Sequence, residues 1–280
     1  LLQTMIPTTI RNLTLRNNLP FKVPAISDVT DMLPKHATKV WGRMKFGDIK
    51  QIVVHHTASE APLINQANYH VDSHKWPGIA YKLVVSDGLL YQTNDLLSFT
   101  THARGANERS IGIAVNADLE HRDMLESERM LLYAGILTLR GIWPNAEIVG
   151  HNQVSATACP CTDMDRIRAD IHALELQVLE QEEYANTISA KRAAAYAIVE
   201  RIQQLYDRLQ DAKWGAAARA KLEYLLPVME VVGGDKTAEG VAHRVFGMYK
   251  ESMGAGKFAD EADRKILLFE PLMREKGLLI

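Results

Sequence analysis

The chain has 280 residues, 47% of them hydrophobic and 24% charged, enough to bury one large core or two medium ones. With 32 basic against 34 acidic residues its formal net charge is −2, which excludes the one-signed field that draws a protein to nucleic acid or anionic lipid. No apolar stretch approaches the ~20 residues that cross a bilayer, and the two cysteines, Cys159 and Cys161, are too few and too close for a disulfide framework.

In residues 1–46, Pro7, Pro20, Pro24 and Pro34 break any long element. This segment reads as an arm or strap packed on the domain that follows. From residue 47 strands and helices alternate. Gln51–His56 is predicted as a buried strand from its β-branched run. Tyr81–Val85 and Leu89–Gln92 flank Asp87-Gly88, a hairpin signal. Ser110–Asn116 alternates as a further strand. Leu125–Gly141 is predicted as a helix ended by Gly141-Ile142-Trp143-Pro144, and Ile148-Val149-Gly150 as a short strand that delivers His151. Residues 47–177 are therefore expected to form an α/β domain with a mixed central β-sheet flanked by helices.

The pattern changes near Asp163. Proline and glycine are absent from there to Trp214, and Ile188, Ile198, Ile202, Leu205 and Leu209 keep a helical period. After Gly215, Leu222, Leu225, Leu226 and Met229 mark another helix. Val241, Val245, Met248 and Tyr249 mark a third, ended by Gly254-Ala255-Gly256. Pro271 is expected to kink or divide the last helical stretch, Ala259 to Lys276. Residues 178–280 are expected to form an all-α helical bundle domain.

The chemistry concentrates at three positions. His55 ends the buried strand, His151 follows the short one, and Cys159-Pro160 lies eight residues beyond His151. Two imidazoles and a thiolate can hold one zinc ion and leave its fourth position for water, the ligand count of a catalytic site. Taken singly, each piece has a plainer reading: a His pair on a strand serves packing, and the cysteines are buried thiols. Their order, with the residues between them, favours the ligand set. Each neutral imidazole also needs an acceptor for its second ring hydrogen, and the sequence does not name it.

These residues lie in a series of further motifs: Ile-Val-Val-His-His-Thr-Ala (52–58), Trp-Pro-Gly-Ile-Ala-Tyr (76–81) and Asp-Gly-Leu-Leu-Tyr-Gln-Thr-Asn (87–94). They continue with His102-Ala103, Asn107, Ser-Ile-Gly-Ile (110–113) and Gly-His-Asn-Gln-Val-Ser-Ala-Thr-Ala-Cys-Pro (150–160). Over about residues 40 to 175 the chain resembles the zinc-dependent N-acetylmuramoyl-L-alanine amidases shared by phage amidase-lysozymes and peptidoglycan recognition proteins. The resemblance implies Zn2+ as cofactor, held by His55, His151 and Cys159. It implies Tyr81 as the catalytic tyrosine and Thr157 facing the reacting water. It implies His56, Thr57, His70, His102 and Asn107 as contacts to a muramyl-peptide. Tyr81 has a structural alternative as a core aromatic, and His70, His74 and Lys75 as a solvated helix face. Lys82 departs from the family, which commonly has His there, and Cys161 replaces a small residue and offers a competing thiol.

The implied reaction is hydrolysis of the amide between N-acetylmuramic acid and L-alanine in bacterial peptidoglycan by a zinc-activated water. Tyr81 would stabilise the oxyanion and Thr157 would orient water or intermediate; no general base is identified. Rival readings are a non-enzymatic peptidoglycan-binding module, a zinc hydrolase of small amides, and a structural zinc protein with Cys161 as fourth ligand. The helical domain is expected to bind the wall or form a homo-oligomer. With no secretory pattern at the start, the expected setting is a phage or prophage endolysin made in the bacterial cytoplasm. It would act on the wall after release, with export by another route left open.

Overall fold

The computed structural model describes residues 7–254 and 257–279. Residues 1–6 of the predicted arm, and Ala255 and Gly256 of the predicted break, lie outside the described residues. The first elements are β1 (Ser27–Asp28), β2 (Gly42–Arg43), β3 (Gln51–His56), α1 (Leu63–Asp72), β4 (Leu83–Ser86), β5 (Leu89–Gln92), β6 (Ser98–Phe99) and β7 (Ser110–Val115). There follow α2 (Glu126–Ile142), β8 (Glu147–Gly150), α3 (Met164–Tyr206), α4 (Gly215–Glu223), α5 (Leu226–Val232), α6 (Ala238–Ser252), α7 (Lys257–Leu267) and α8 (Glu270–Glu275).

Six strands form one mixed sheet in the order β1-β5-β4-β7-β3-β8. β4 and β5 are antiparallel, and the remaining neighbours are parallel. The hairpin turns at Asp87 and Gly88, both at positive φ (51° and 73°), the backbone of a tight primed turn. Its first strand begins at Leu83, leaving the predicted Tyr81 just outside the ladder.

Side chains alternate across the sheet, so β3 divides its residues between two environments. Ile52 and Val54 join Leu83, Val85, Ile111, Ile113 and Val115 in a core that also takes Leu132 and Ile136 of α2. Burying each such side chain contributes on the order of 1.5–3 kcal/mol. Register pairs His55 with Ala114 and Ala114 with Val84, placing all three on one face. Ala114 and Val84 pack with Leu63 and Ala67 of α1. The alternation that buries Ile52 and Val54 against α2 therefore turns His55 toward the side that α1 covers.

The segment before the sheet is tied to its edge. Gln92 Nε2 donates to the Ile10 carbonyl at 2.8 Å, and the Leu13 N–H donates to Gln92 Oε1 at 2.8 Å. Arg11 pairs with Asp28 at 2.8 Å, and Leu13 is part of the main core.

Contacts divide the chain into two units between Glu180 and Gln181, within α3. The second unit has its own core, including Ile198, Ile202, Leu222, Leu225, Val241, Val245, Met248 and Phe269. Leu222–Met229, expected as one helix, is two, because Pro227 lacks an N–H to continue a ladder and instead occupies the first turn of α5. Pro271 likewise occupies the first turn of α8 and divides the last stretch. Thr237 Oγ1 accepts the Gly240 N–H at 2.9 Å and caps α6. Among the described residues no helix is long and apolar enough to cross a membrane.

Candidate metal centre

His55 lies near the end of β3, and His151 opens a short 3-10 turn directly after β8. The loop that follows folds back on itself. The Asn152 N–H donates to the Cys159 carbonyl at 2.6 Å, and the Cys159 N–H donates to Thr157 Oγ1 at 3.2 Å. This returns Cys159 to the end of β3, where its sulfur accepts the His56 N–H at 3.4 Å and stands 3.8 Å from His55 Nδ1. The rings of His55 and His151 have centroids 4.5 Å apart. One ligand atom each from His55, His151 and Cys159 lies within 4.8 Å of the other two.

Tetrahedral zinc with nitrogen and sulfur ligands sets donors roughly 3.5 Å apart, so the residues fit the ion with little adjustment. Their acidities suit it too. Burial, with His102 and His151 nearby, holds His55 well below the ordinary imidazole pKa, and burial lowers His151. Both are therefore neutral and able to coordinate. Burial pushes the Cys159 thiol up to about 12, so metal binding must release its proton.

The adjacent histidines part company at this point. His55 Nε2 is 3.0 Å from His102 Nδ1, leaving Nδ1 toward Cys159. His56 Nδ1 accepts the Leu119 N–H at 3.1 Å. The neutral ring then carries its hydrogen on Nε2. His56, Glu120 and Cys161 also bring ligand atoms within 4.8 Å, but an imidazole with one lone pair taken and the other nitrogen protonated is a donor, not a ligand. Cys161 is 3.3 Å from the Ala158 carbonyl, to which its thiol donates, and so has a partner of its own.

The other predicted residues are spread more widely. Tyr81 stands beside His55, ring centroids 5.1 Å apart, and burial raises its phenol above the ordinary pKa. Thr157 is exposed, with Oγ1 accepting from Cys159. Thr57 Oγ1 donates to the Ser59 carbonyl at 2.8 Å and lies 3.0 Å from Asn116 Oδ1. Asn107 Oδ1 accepts the Ala103 N–H at 2.8 Å. His70 is buried; its Nδ1 accepts the Ala80 N–H at 3.2 Å, and burial, with His74 nearby, takes it down to about 4. Its ring is 5.7 Å from that of Tyr81. His56 and His102, which the resemblance sets in the groove, are 5% and 6% exposed. Their hydrogen bonds are internal, and His102 lies behind His55.

Sequence reasoning missed three participants. Ser110 Oγ is 3.1 Å from His102 Nε2. A Cβ on Gly112 would lie 2.7 Å from His102 Cγ, so the bare backbone lets the imidazole lie on the strand. Fully buried Lys82 donates to Thr100 Oγ1 and the Ser110 carbonyl, each at 3.3 Å, and burial lowers it to about 7. Ser110 and Gly112 lie in the Ser-Ile-Gly-Ile motif, which was the available signal.

The family described as N-acetylmuramoyl-L-alanine amidase matches residues 45–162, which include the three candidate ligands and Tyr81. The chain is 32% identical over 126 residues to peptidoglycan-recognition protein SC2 of Drosophila melanogaster, covering 40% of this chain and 68% of that protein. The chain belongs to the N-acetylmuramoyl-L-alanine amidase family. It spans about two thirds of the length of the fly recognition proteins it matches. A second family relative, an endolysin of Enterobacteria phage K11, is 25% identical over 128 residues, covering 42% of this chain and 85% of that one. Among solved structures, the endolysin amidase LysCS from Clostridium intestinale URNW aligns with a TM-score of 0.44 at 22% identity, covering 54% of this chain and 97% of that one.

Proposed function

We propose that this amidase-family chain is a zinc-dependent peptidoglycan hydrolase that cleaves the amide between N-acetylmuramic acid and L-alanine, and that it serves as a phage or prophage endolysin. The reading is carried by the convergence of His55, His151 and Cys159 on one point within 4.8 Å. The K11 endolysin, matched over 85% of its length, supports the biological setting.

A zinc ion at that point would act as a Lewis acid and lower the pKa of a water to about 7. Tyr81, kept protonated by burial, donates its O–H to the carbonyl oxygen as negative charge develops there. Thr157 uses a lone pair on the Cys159 N–H, so its own hydrogen remains to orient water or intermediate. Thr57 and Asn107, both partly exposed, are the proposed contacts to the muramyl-peptide. His56, His70 and His102, expected as further contacts to the muramyl-peptide, are buried; His102 supports His55 from behind, and His56 and His70 are held by backbone N–H groups. The arm expected over 1–46 acts, from residue 7 onward, as a strap on the catalytic domain 47–177, and the helical domain 178–280 binds the wall or joins copies of the chain.

Metal analysis, paired with release of L-alanine amino termini from purified walls, tests the reading. One zinc per chain is expected, and His151→Ala should lose zinc and hydrolysis together. Wild-type protein without zinc, or with zinc but no released amino termini, overturns it; retained wall binding in the latter case would identify a recognition module.

A further inference from the structure

The hydrogen bonds behind His55 have a direction, and one serine sets it. Ser110 Oγ lies 2.6 Å from the Ala106 carbonyl and 3.1 Å from His102 Nε2. A serine hydroxyl has a single hydrogen, and a carbonyl can only accept. That hydrogen therefore goes to Ala106, and Ser110 Oγ must accept from His102 Nε2–H. A neutral His102 protonated on Nε2 has a bare Nδ1. At 3.0 Å from His55 Nε2, Nδ1 accepts, so His55 carries its hydrogen on Nε2. His55 Nδ1, the nitrogen that faces Cys159 at 3.8 Å, is left with a free lone pair.

The reverse arrangement is the alternative available to two hydrogen-bonded imidazoles set edge-on to each other. In it His102 donates from Nδ1, and His55 carries its hydrogen on Nδ1, where it blocks coordination. Ser110 would then have to donate to His102, leaving two oxygens 2.6 Å apart at Ala106 with no hydrogen between them. The backbone carbonyl thus rejects this arrangement.

Further features hold the relay. Gly112 leaves space for the His102 ring, which a Cβ would meet at 2.7 Å. Lys82 Nζ holds the Ser110 carbonyl at 3.3 Å. His55, His102 and Ser110 are all buried, so water does not compete for these bonds.

We propose that Ala106, Ser110 and His102 form a proton-ordering relay that fixes His55 in its coordinating tautomer before any metal arrives, with His102 and Ser110 as positioning residues. The inference rests on the zinc reading for its purpose, but the hydrogen placement is a property of the metal-free protein.

Two measurements on the full chain test it. In competition with a chromophoric zinc chelator, His102→Leu should weaken zinc binding about 10–100-fold. His102→Asn, whose amide oxygen can take the place of Nδ1, should restore most of that loss, and Ser110→Ala should weaken binding less than His102→Leu. In the metal-free protein, 15N chemical shifts should show His55 protonated on Nε2, and Ser110→Ala should introduce the Nδ1–H form. A purely structural role for His102 would not move that signature. Equal zinc affinity in wild type and His102→Leu, or a metal-free His55 protonated on Nδ1, overturns the relay. A wild-type protein that binds no zinc overturns the amidase reading instead, and the nitrogen shifts still decide the relay.

Discussion

The two units bury different things. The α/β unit encloses His55, His102, Lys82, Ser110, Gln92 and Asn94 among other polar side chains. In the helical unit, the buried polar side chains among the described residues are Ser252 and Asp263. A buried polar group costs free energy unless its bonds are made inside the protein. A helix pair can stay together on apolar side chains, and the core of the helical unit is built from Ile, Leu, Val, Met, Ala and Phe. An interior with imidazoles, an ammonium and hydroxyls is organised for something other than cohesion, and in the first unit those groups stand on or behind the face that carries the ligands. The comparison assigns chemistry to one unit and packing to the other, and each substitution below challenges that division.

The largest effect is expected at Tyr81. Tyr81→Phe removes one O–H donor and keeps the ring beside His55, so kcat for amide release should fall on the order of 10²–10³-fold with zinc content unchanged. Steady-state kinetics with metal analysis checks this; unaltered kcat would return Tyr81 to the core aromatics. Gly112→Ala comes next. Its Cβ would lie 2.7 Å from His102 Cγ and 2.8 Å from Nδ1, so the ring must move. Zinc affinity should fall about 10–100-fold, and stability by roughly 1–3 kcal/mol, read by chelator competition and urea unfolding.

These two positions also show what the sequence makes legible. Gln51–His56 announced its strand through β-branched residues, and Asp87-Gly88 announced the hairpin through its turn chemistry. Pro271 marked a division because proline acts within its own turn. Signals of this kind are local. The partner of His55 was not legible, because His102 is 47 residues away and its contact depends on the β3–β7 register. Ser110 and Gly112 stood in a quoted motif, yet their purpose appears only once β7 brings them under His102. Lys82 read as a departure from a family pattern; its burial follows from its place directly before β4, bonded to Gly112 and Ser110 of β7, which no period in the sequence states. The split at Pro227 was missed because apolar spacing ran on across it.

Lys82 gives a pH-dependent test. Its folded-state value, about 7, lies below the ordinary 10.5. Below pH 7 folded and unfolded chains both hold the proton, and the penalty for a buried ammonium is constant. Between about 7 and 10.5 the unfolded chain holds a proton that the folded one lacks, so stability rises with pH. Lys82→Met removes this contribution. Across that window wild-type stability should gain roughly 2–4 kcal/mol relative to the variant, measured by urea unfolding of metal-free protein at pH 7, 8.5 and 10. Parallel pH profiles would show that the ammonium is better solvated than its burial indicates.

The smallest effect is expected at Asp263, the one buried carboxylate of the helical unit among the described residues. Asp263 is 6% exposed and pairs with Arg192 at 3.3 Å, while the arginine side chain is half exposed. Solvent screens such a pair from the arginine side, so its contribution is small, about 1 kcal/mol or less. Arg192→Ala leaves the carboxylate without its cation, which sets the cost near the top of that range. Because the loss is one of packing and charge within the helical unit, zinc affinity and kcat should match wild type. A fall in either would mean that the helical unit acts on the chemistry, and the division between the two regions would have to be redrawn.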